Sequence, residues 1–141
     1  MLIDSYQELA AHATVTRWLV LAAERFARQR LKALVHAESR LHSAPGVLFV
    51  CVRNAGRSQM ALGWFGELAG DKAVAWSGGS NPSERLDPAT VAAMAELGID
   101  IAPEFPKPWA DEFIRAADVV VTMGCGDVWS APAGKRLRAP E

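Results

Sequence analysis

The strongest constraint in this sequence is the run Val47-Leu-Phe-Val-Cys-Val52, in which no polar residue interrupts six apolar ones. A strand with one wet face alternates polar and apolar side chains. A run without alternation fits a strand covered on both faces, as in the middle of a parallel sheet. The rest of the carboxyl-terminal two-thirds supplies the elements such a sheet needs. Residues 57–69 carry apolar side chains at helical spacing and stop at Gly70, and residues 73–76 form a second short strand. Residues 88–97 read as a helix with Asp87 as N-cap, Pro88 in the first turn and Gly98 just past its end. A helix over 109–117, a strand over 118–123 and a strand over 135–138 complete the series. Strands alternating with helices predict right-handed crossovers and an open α/β architecture: a parallel sheet of about four strands with flanking helices.

Residues 1–41 differ in texture. They contain neither Gly nor Pro and are rich in Ala, Leu and Arg, and Ser43-Ala-Pro-Gly46 marks the boundary. The division predicts a helical amino-terminal extension over 1–43 and an α/β unit over 44–141. Asp4 and Ser5 are candidate caps for a short helix through Ala11, and Thr14 or Thr16 for the start of a longer one. Val15, Trp18, Leu19, Ala22, Phe26, Ala33 and Leu34 make an apolar stripe, interrupted by Arg30. A helix packed on the rest of the protein explains it. The basic residues alternate with Glu and no turn separates two compact helices, so a DNA-reading pair is a poor fit. The net charge of −1 gives no field for nucleic acid or a membrane surface. No apolar run approaches the ~20 residues of a membrane span, and the first residues lack a secretory pattern. Two cysteines make no disulfide framework, so reactive thiols in the cytoplasm are expected.

The chemistry concentrates in Cys51-Val-Arg-Asn-Ala-Gly-Arg57-Ser58, between the buried strand and the next helix. A short turn lets the N–H groups of Val52, Arg53, Asn54, Ala55, Gly56 and Ser58 converge on one tetrahedral oxyanion. The helix start adds partial positive charge. Gly56 permits a positive φ or close backbone approach, and Arg57 offers a planar fork for two oxygens. The same dipoles favour the Cys51 thiolate, which is the nucleophilic form. Ser58 is placed to donate to the sulfur, and Asn54 to hold the loop by bonding across it. A merely buried thiol at a strand end explains Cys51 alone but leaves the pattern around it unexplained.

Residues 47–61, ending Asn-Ala-Gly-Arg-Ser-Gln-Met-Ala, resemble the active-site loop of arsenate reductases of the low-molecular-weight protein tyrosine phosphatase-like family. Val120-Val-Thr-Met-Gly-Cys-Gly-Asp127 resembles that family's second cysteine segment, and Pro132-Ala-Gly-Lys-Arg136 the approach to its last strand. The amino-terminal helices are similar to an extension carried by some members. The resemblance implies that Cys51 attacks arsenate, that Arg57 and the loop amides bind it, and that Asn54 and Ser58 support the loop.

Cys125 follows the third strand, and loops at the carboxyl ends of parallel strands share one rim. Reduction of arsenate needs two electrons, which two thiols supply by becoming a disulfide; a small buried residue beside two glycines is the plainer reading of Cys125. Where many members carry a further cysteine, this sequence has Val128-Trp-Ser130. Reduction would then finish through Cys51 and Cys125, or through an external thiol: mycothiol with mycoredoxin, glutathione with glutaredoxin, or thioredoxin. No bound cofactor or metal is expected. The family's general-acid Asp and final helix have no counterpart after Arg138, where only Ala-Pro-Glu follows, so a truncated tail and impaired activity are expected. Asp127 is the nearest substitute. The sheet face left bare would need the amino-terminal helices or a second subunit, as in a homodimer. A low-molecular-weight phosphatase and a non-catalytic oxyanion-binding remnant are the alternatives. Ser77-Gly-Gly-Ser80 is expected as a turn or loop buttress after the second strand, and His12, His36 and His42 as surface residues. Trp76, Trp109 and Trp129 are expected in packing or along the crevice, and Phe105-Pro-Lys-Pro-Trp109 as a rigid connector.

Overall fold

Apolar runs and helix punctuation translate directly into the elements of the computed structural model, which describes residues 1–14, 17–39, 42–124 and 135–138. In chain order they are α1 (Leu2–Ala10), α2 (Leu19–Glu38), β1 (Gly46–Cys51), α3 (Arg57–Ala69), β2 (Val74–Gly79), α4 (Pro88–Glu96), α5 (Asp111–Ala116), β3 (Val119–Thr122) and β4 (Arg136–Arg138). The strands form one sheet in the order β2-β1-β3-β4, and every pairing is parallel. β1 thus lies inside, between β2 and β3, as its unbroken apolar run requires. From β1 the chain goes out to one side and then returns to the other, so a crevice opens at the carboxyl end of β1.

The two faces of β1 are filled differently. Phe49 meets Phe65 of α3 at 5.6 Å between ring centroids. Leu48 and Val50 face a core shared with Leu19, Ala23, Phe26 and Ala33 of α2 and with Phe113 and Ala116 of α5. Phe26 and Phe113 make an edge-to-face pair at 6.1 Å. Trp76 stacks on Phe113 and meets the His36 ring edge-on at 5.4 Å, so this tryptophan packs rather than lines a crevice. The amino-terminal extension therefore covers this face of the sheet.

Four sequence expectations change here. Asp4 and Ser5 do not cap α1, which starts earlier, at Leu2; both turn instead to Arg30. Arg30 is no interruption of the α2 stripe but part of its buried side. It donates to Ser5 Oγ at 3.0 Å and to both Glu112 oxygens, at 3.0 and 3.1 Å, and pairs with Asp4 at 2.7 Å. One guanidinium so ties α1, α2 and α5 together, and a paired charge is what makes its burial tolerable. Thr14 caps nothing either: α2 begins at Leu19, and Thr14 gives its amide and hydroxyl to Glu84. Thr16 lies outside the described residues. Finally, β2 runs through Ser77, Gly78 and Gly79 instead of ending before them.

Burial alone would raise the Glu112 carboxyl, but the hydrogen-bonded Arg30 guanidinium outweighs it and holds the group below its ordinary value. A carboxyl depressed on folding adds stability above its unfolded pKa and loses it as pH falls through the folded one. Glu112→Gln is therefore expected to cost about 1–2 kcal/mol in urea unfolding at neutral pH. The difference from wild type is expected to shrink toward zero in strong acid.

Candidate active site

The loop that follows β1 is shaped by where its carbonyls go. Cys51, Val52, Arg53 and Ala55 present their carbonyl oxygens to the amides of Ser80, Asn81, Ser83 and Asp87, at 3.3, 2.8, 2.9 and 3.0 Å. The chain has no cis peptide among the described residues, and in a trans peptide the next N–H points opposite to the carbonyl. The N–H groups of Val52, Arg53, Asn54 and Gly56 are thereby turned to the inner side of the loop. Asn54 shows the consequence directly: its N–H reaches Cys51 Sγ at 3.1 Å. Arg57 and Ser58 then open α3, whose N-terminal amides add to the same field.

Around the sulfur the polar groups form a closed chain. Ser58 Oγ stands 2.9 Å from Cys51 Sγ. That oxygen accepts from Asn54 Nδ2 at 2.8 Å, which leaves the serine proton for the sulfur. Asn54 Oδ1 in turn accepts from the Lys107 amide at 3.0 Å and from Gln59 Nε2 at 3.1 Å, which fixes the orientation of the Asn54 amide. Gln59 Nε2 also donates to the carbonyls of Asn54 at 3.0 Å and Phe105 at 3.2 Å. Cys51, Asn54, Ala55, Ser58 and Gln59 are all buried. Arg53 and Arg57 are exposed at an open cleft of about 890 Å³ whose lining includes Cys51, His12, Glu84 and Arg85.

The left-handed residue of the loop is Asn54, with φ 48°, and not Gly56, whose φ is −132°. Asparagine tolerates this region better than most side chains, and here its amide is used twice. Glycine is needed instead on the neighbouring strand. A Cβ on Gly79 would sit 2.5 Å from the Val52 carbonyl oxygen, and one on Gly78 would sit 2.6 Å from Trp109 Cα. The buttress expected of 77–80 is thus these two close approaches, since Ser77 Oγ has no hydrogen-bond partner among the described residues.

Gln59 and Lys107 are the site residues that sequence reasoning missed. Gln59 sits inside the motif, one residue past Ser58, and that adjacency was the available signal; the structure shows it buried on α3. Lys107 serves through its backbone, for which side-chain identity gives no cue. Its side chain is 1% exposed, with Nζ 3.7 Å from Glu104 and 4.5 Å from the Phe105 ring centroid. Burial lowers its ammonium to about 8. Trp109 lies partly buried beside the core rather than in the cleft, and of the three histidines His12 reaches the cleft. Cys125, Asp127 and Trp129 lie outside the described residues. No cluster of metal-ligating side chains occurs among the described residues, and no helix there is long and apolar enough to cross a membrane.

A thiol hydrogen-bonded within a ring of inward amides, at the switch point of a parallel sheet, is the arrangement of a candidate oxyanion loop. A family profile described as low molecular weight phosphotyrosine protein phosphatase matches residues 46–136, and the chain belongs to that family. A second profile, protein-tyrosine-phosphatase-like N-terminal domain, matches residues 1–35. The Corynebacterium glutamicum thioredoxin-dependent arsenate reductase Cg_ArsC1' superposes with a TM-score of 0.92 at 42% identity, over 99% of this chain and 71% of that one. A structure described as an arsenate reductase in the phosphate binding state has a TM-score of 0.59 at 33% identity, over 68% and 75%. The Bacillus subtilis arsenate reductase is 40% identical over 81 residues, 57% of this chain and 57% of the relative. The chain thus spans little more than half the length of the curated relatives it matches.

Arg57 rests against Gly124, where φ is 76° and an added Cβ would come 2.3 Å from Arg57 Nη1. Gly124→Ala must displace the guanidinium. Phosphate titration by calorimetry is expected to show several-fold weaker binding; unchanged affinity would remove Arg57 from the anion site.

Proposed function

We propose that the chain is a thiol-dependent arsenate reductase. The observation that carries the reading is the loop with its carbonyls bound outward and the Asn54 amide and Ser58 hydroxyl on Cys51 Sγ. Val52, Arg53, Asn54, Ala55, Gly56 and Ser58 supply amides to the oxyanion, and Arg57 grips two of its oxygens. The Cys51 thiolate attacks arsenic, an As–S bond forms, and one oxygen leaves as water after taking up protons. Cys125, as thiolate, then attacks Cys51 Sγ. The S–S bond forms as the As–S bond breaks, and its electron pair stays on arsenic, which leaves as arsenite. Two thiols are oxidised to one disulfide and As(V) is reduced to As(III): H₂AsO₄⁻ + 2 RSH → RSSR + H₂AsO₃⁻ + H₂O. Gly124, which precedes Cys125 in sequence, lies against Arg57, and that supports a shared crevice.

An external dithiol must reduce the disulfide for a second turnover. The thioredoxin dependence of the C. glutamicum relative favours thioredoxin over mycothiol–mycoredoxin or glutathione–glutaredoxin as that partner. In this reading residues 1–43 are a helical extension, residues 44–141 carry the chemistry, and the protein works in the reducing cytoplasm.

Phosphate monoester hydrolysis through a phosphocysteine is the second reading, favoured by a cleft much larger than a bare oxyanion fills. The two separate in one assay. With arsenate, thioredoxin, thioredoxin reductase and NADPH, the wild type is expected to form arsenite continuously. Cys51→Ser is expected to form none. Cys125→Ser is expected to bind phosphate normally yet lose thioredoxin-driven turnover. Steady hydrolysis of an aryl phosphate by both wild type and Cys125→Ser, with no arsenite from either, would favour the phosphatase.

A further inference from the structure

We infer that Arg25, on α2 of the amino-terminal extension, is a positioning residue for the oxyanion loop, acting through the 103–108 connector. Its guanidinium donates to the Pro103 carbonyl and stacks over the Phe105 ring, with Cζ 5.1 Å from the centroid. The ring is also approached by Lys107 Nζ at 4.5 Å, so two cations hold one aromatic side chain.

What the connector does next makes the hold consequential. The Phe105 carbonyl accepts from Gln59 Nε2 at 3.2 Å, and the Lys107 amide donates to Asn54 Oδ1 at 3.0 Å. The Lys107 carbonyl accepts from Gly79, and the connector adds an isolated parallel bridge from Pro108 to the same glycine. Gly79 itself is pressed against the Val52 carbonyl. The connector therefore reaches the loop by three routes: the Asn54 side chain, Gln59 and Gly79. A shift at residues 105–107 would release Asn54 from its left-handed conformation and turn its N–H away from the sulfur. Arg25 restrains that shift from a helix far upstream in the sequence. The inference rests on the oxyanion-loop reading proposed above.

Arg28 provides the control. It lies on the same helix and carries the same charge, but it pairs with Glu24 in solvent, at 2.8 Å, and meets nothing in the connector. The test uses the full chain as wild type, Arg25→Ala, Arg25→Lys, Arg28→Ala and Phe105→Leu. Iodoacetamide labelling of Cys51 is followed by mass spectrometry of its peptide across a phosphate titration, with melting temperatures measured in parallel. Arg25→Ala is expected to raise the half-protecting phosphate concentration by about threefold to tenfold. Arg28→Ala should leave it unchanged, although both variants lower the melting temperature by similar small amounts. Arg25→Lys should recover part of the loss by donating to the same carbonyl. Phe105→Leu, which removes the ring but keeps the backbone groups, should shift protection in the same direction, and it decides the matter should Arg25→Ala fail to fold. Equal protection in Arg25→Ala and Arg28→Ala overturns the inference while leaving the loop assignment intact. Absence of protection in the wild type overturns both.

Discussion

Asn54 is held at a φ of 48°, and most of the polar geometry around the reactive sulfur follows from that one backbone angle. A non-glycine residue in the left-handed region stays there only when its surroundings over-determine it. Here they do: its side chain is grasped by the Lys107 amide, Gln59 and Ser58, and its carbonyl by Gln59 again. In return its N–H points at Cys51 Sγ and its Nδ2 sets the direction of the Ser58 hydroxyl. The hydrogen-bond donors around the sulfur are thus held in place by the fold itself.

The fold supplies the supports from several distances along the chain. β1 delivers Cys51 to the carboxyl end of the sheet, and β2 lies beside it with Gly78 and Gly79, bare enough for the connector and the loop to close in. The 80–87 segment takes up the outward carbonyls. On the other face, α2 and α5 share the core under β1 and β3, and Arg30 binds α1 and α5 to α2. The amino-terminal helices are continuous with the hydrophobic core of the α/β unit. Arg25 and Thr14 carry that continuity as far as the connector and the cleft wall.

The parts legible in the sequence were those governed by local rules. The apolar run 47–52 announced a doubly covered strand, Gly70 ended α3, and Asp87 with Pro88 started α4; Asp87 accepts from the Ala89 amide at 3.2 Å. The grouping of Cys51, Asn54 and Ser58 was also recognisable, because their short spacing puts them within hydrogen-bond reach of one another. Tertiary competition hid the rest. Asp4, Ser5 and Thr14 have the side chains of helix caps, but Arg30 and Glu84 offered better partners than a frayed helix end. Arg30 looked like a break in a stripe because the acids that pair with it come from two other helices. Gly56 seemed the natural place for a positive φ, yet Asn54 takes it, since its amide gains hydrogen bonds that glycine lacks. Lys107 was unreadable because it acts through the main chain.

Together these features describe a cysteine whose hydrogen-bond partners are set by backbone direction, and on which the proposed arsenate chemistry depends. The reactivity of Cys51 toward iodoacetamide, compared between wild type and Asn54→Ala at neutral pH, tests that claim most directly. Turning the aimed N–H away from the sulfur is expected to slow labelling of Cys51 by at least about tenfold, the worth of one hydrogen bond to a charged group. Labelling at the wild-type rate, in a variant shown to be folded, would contradict the account.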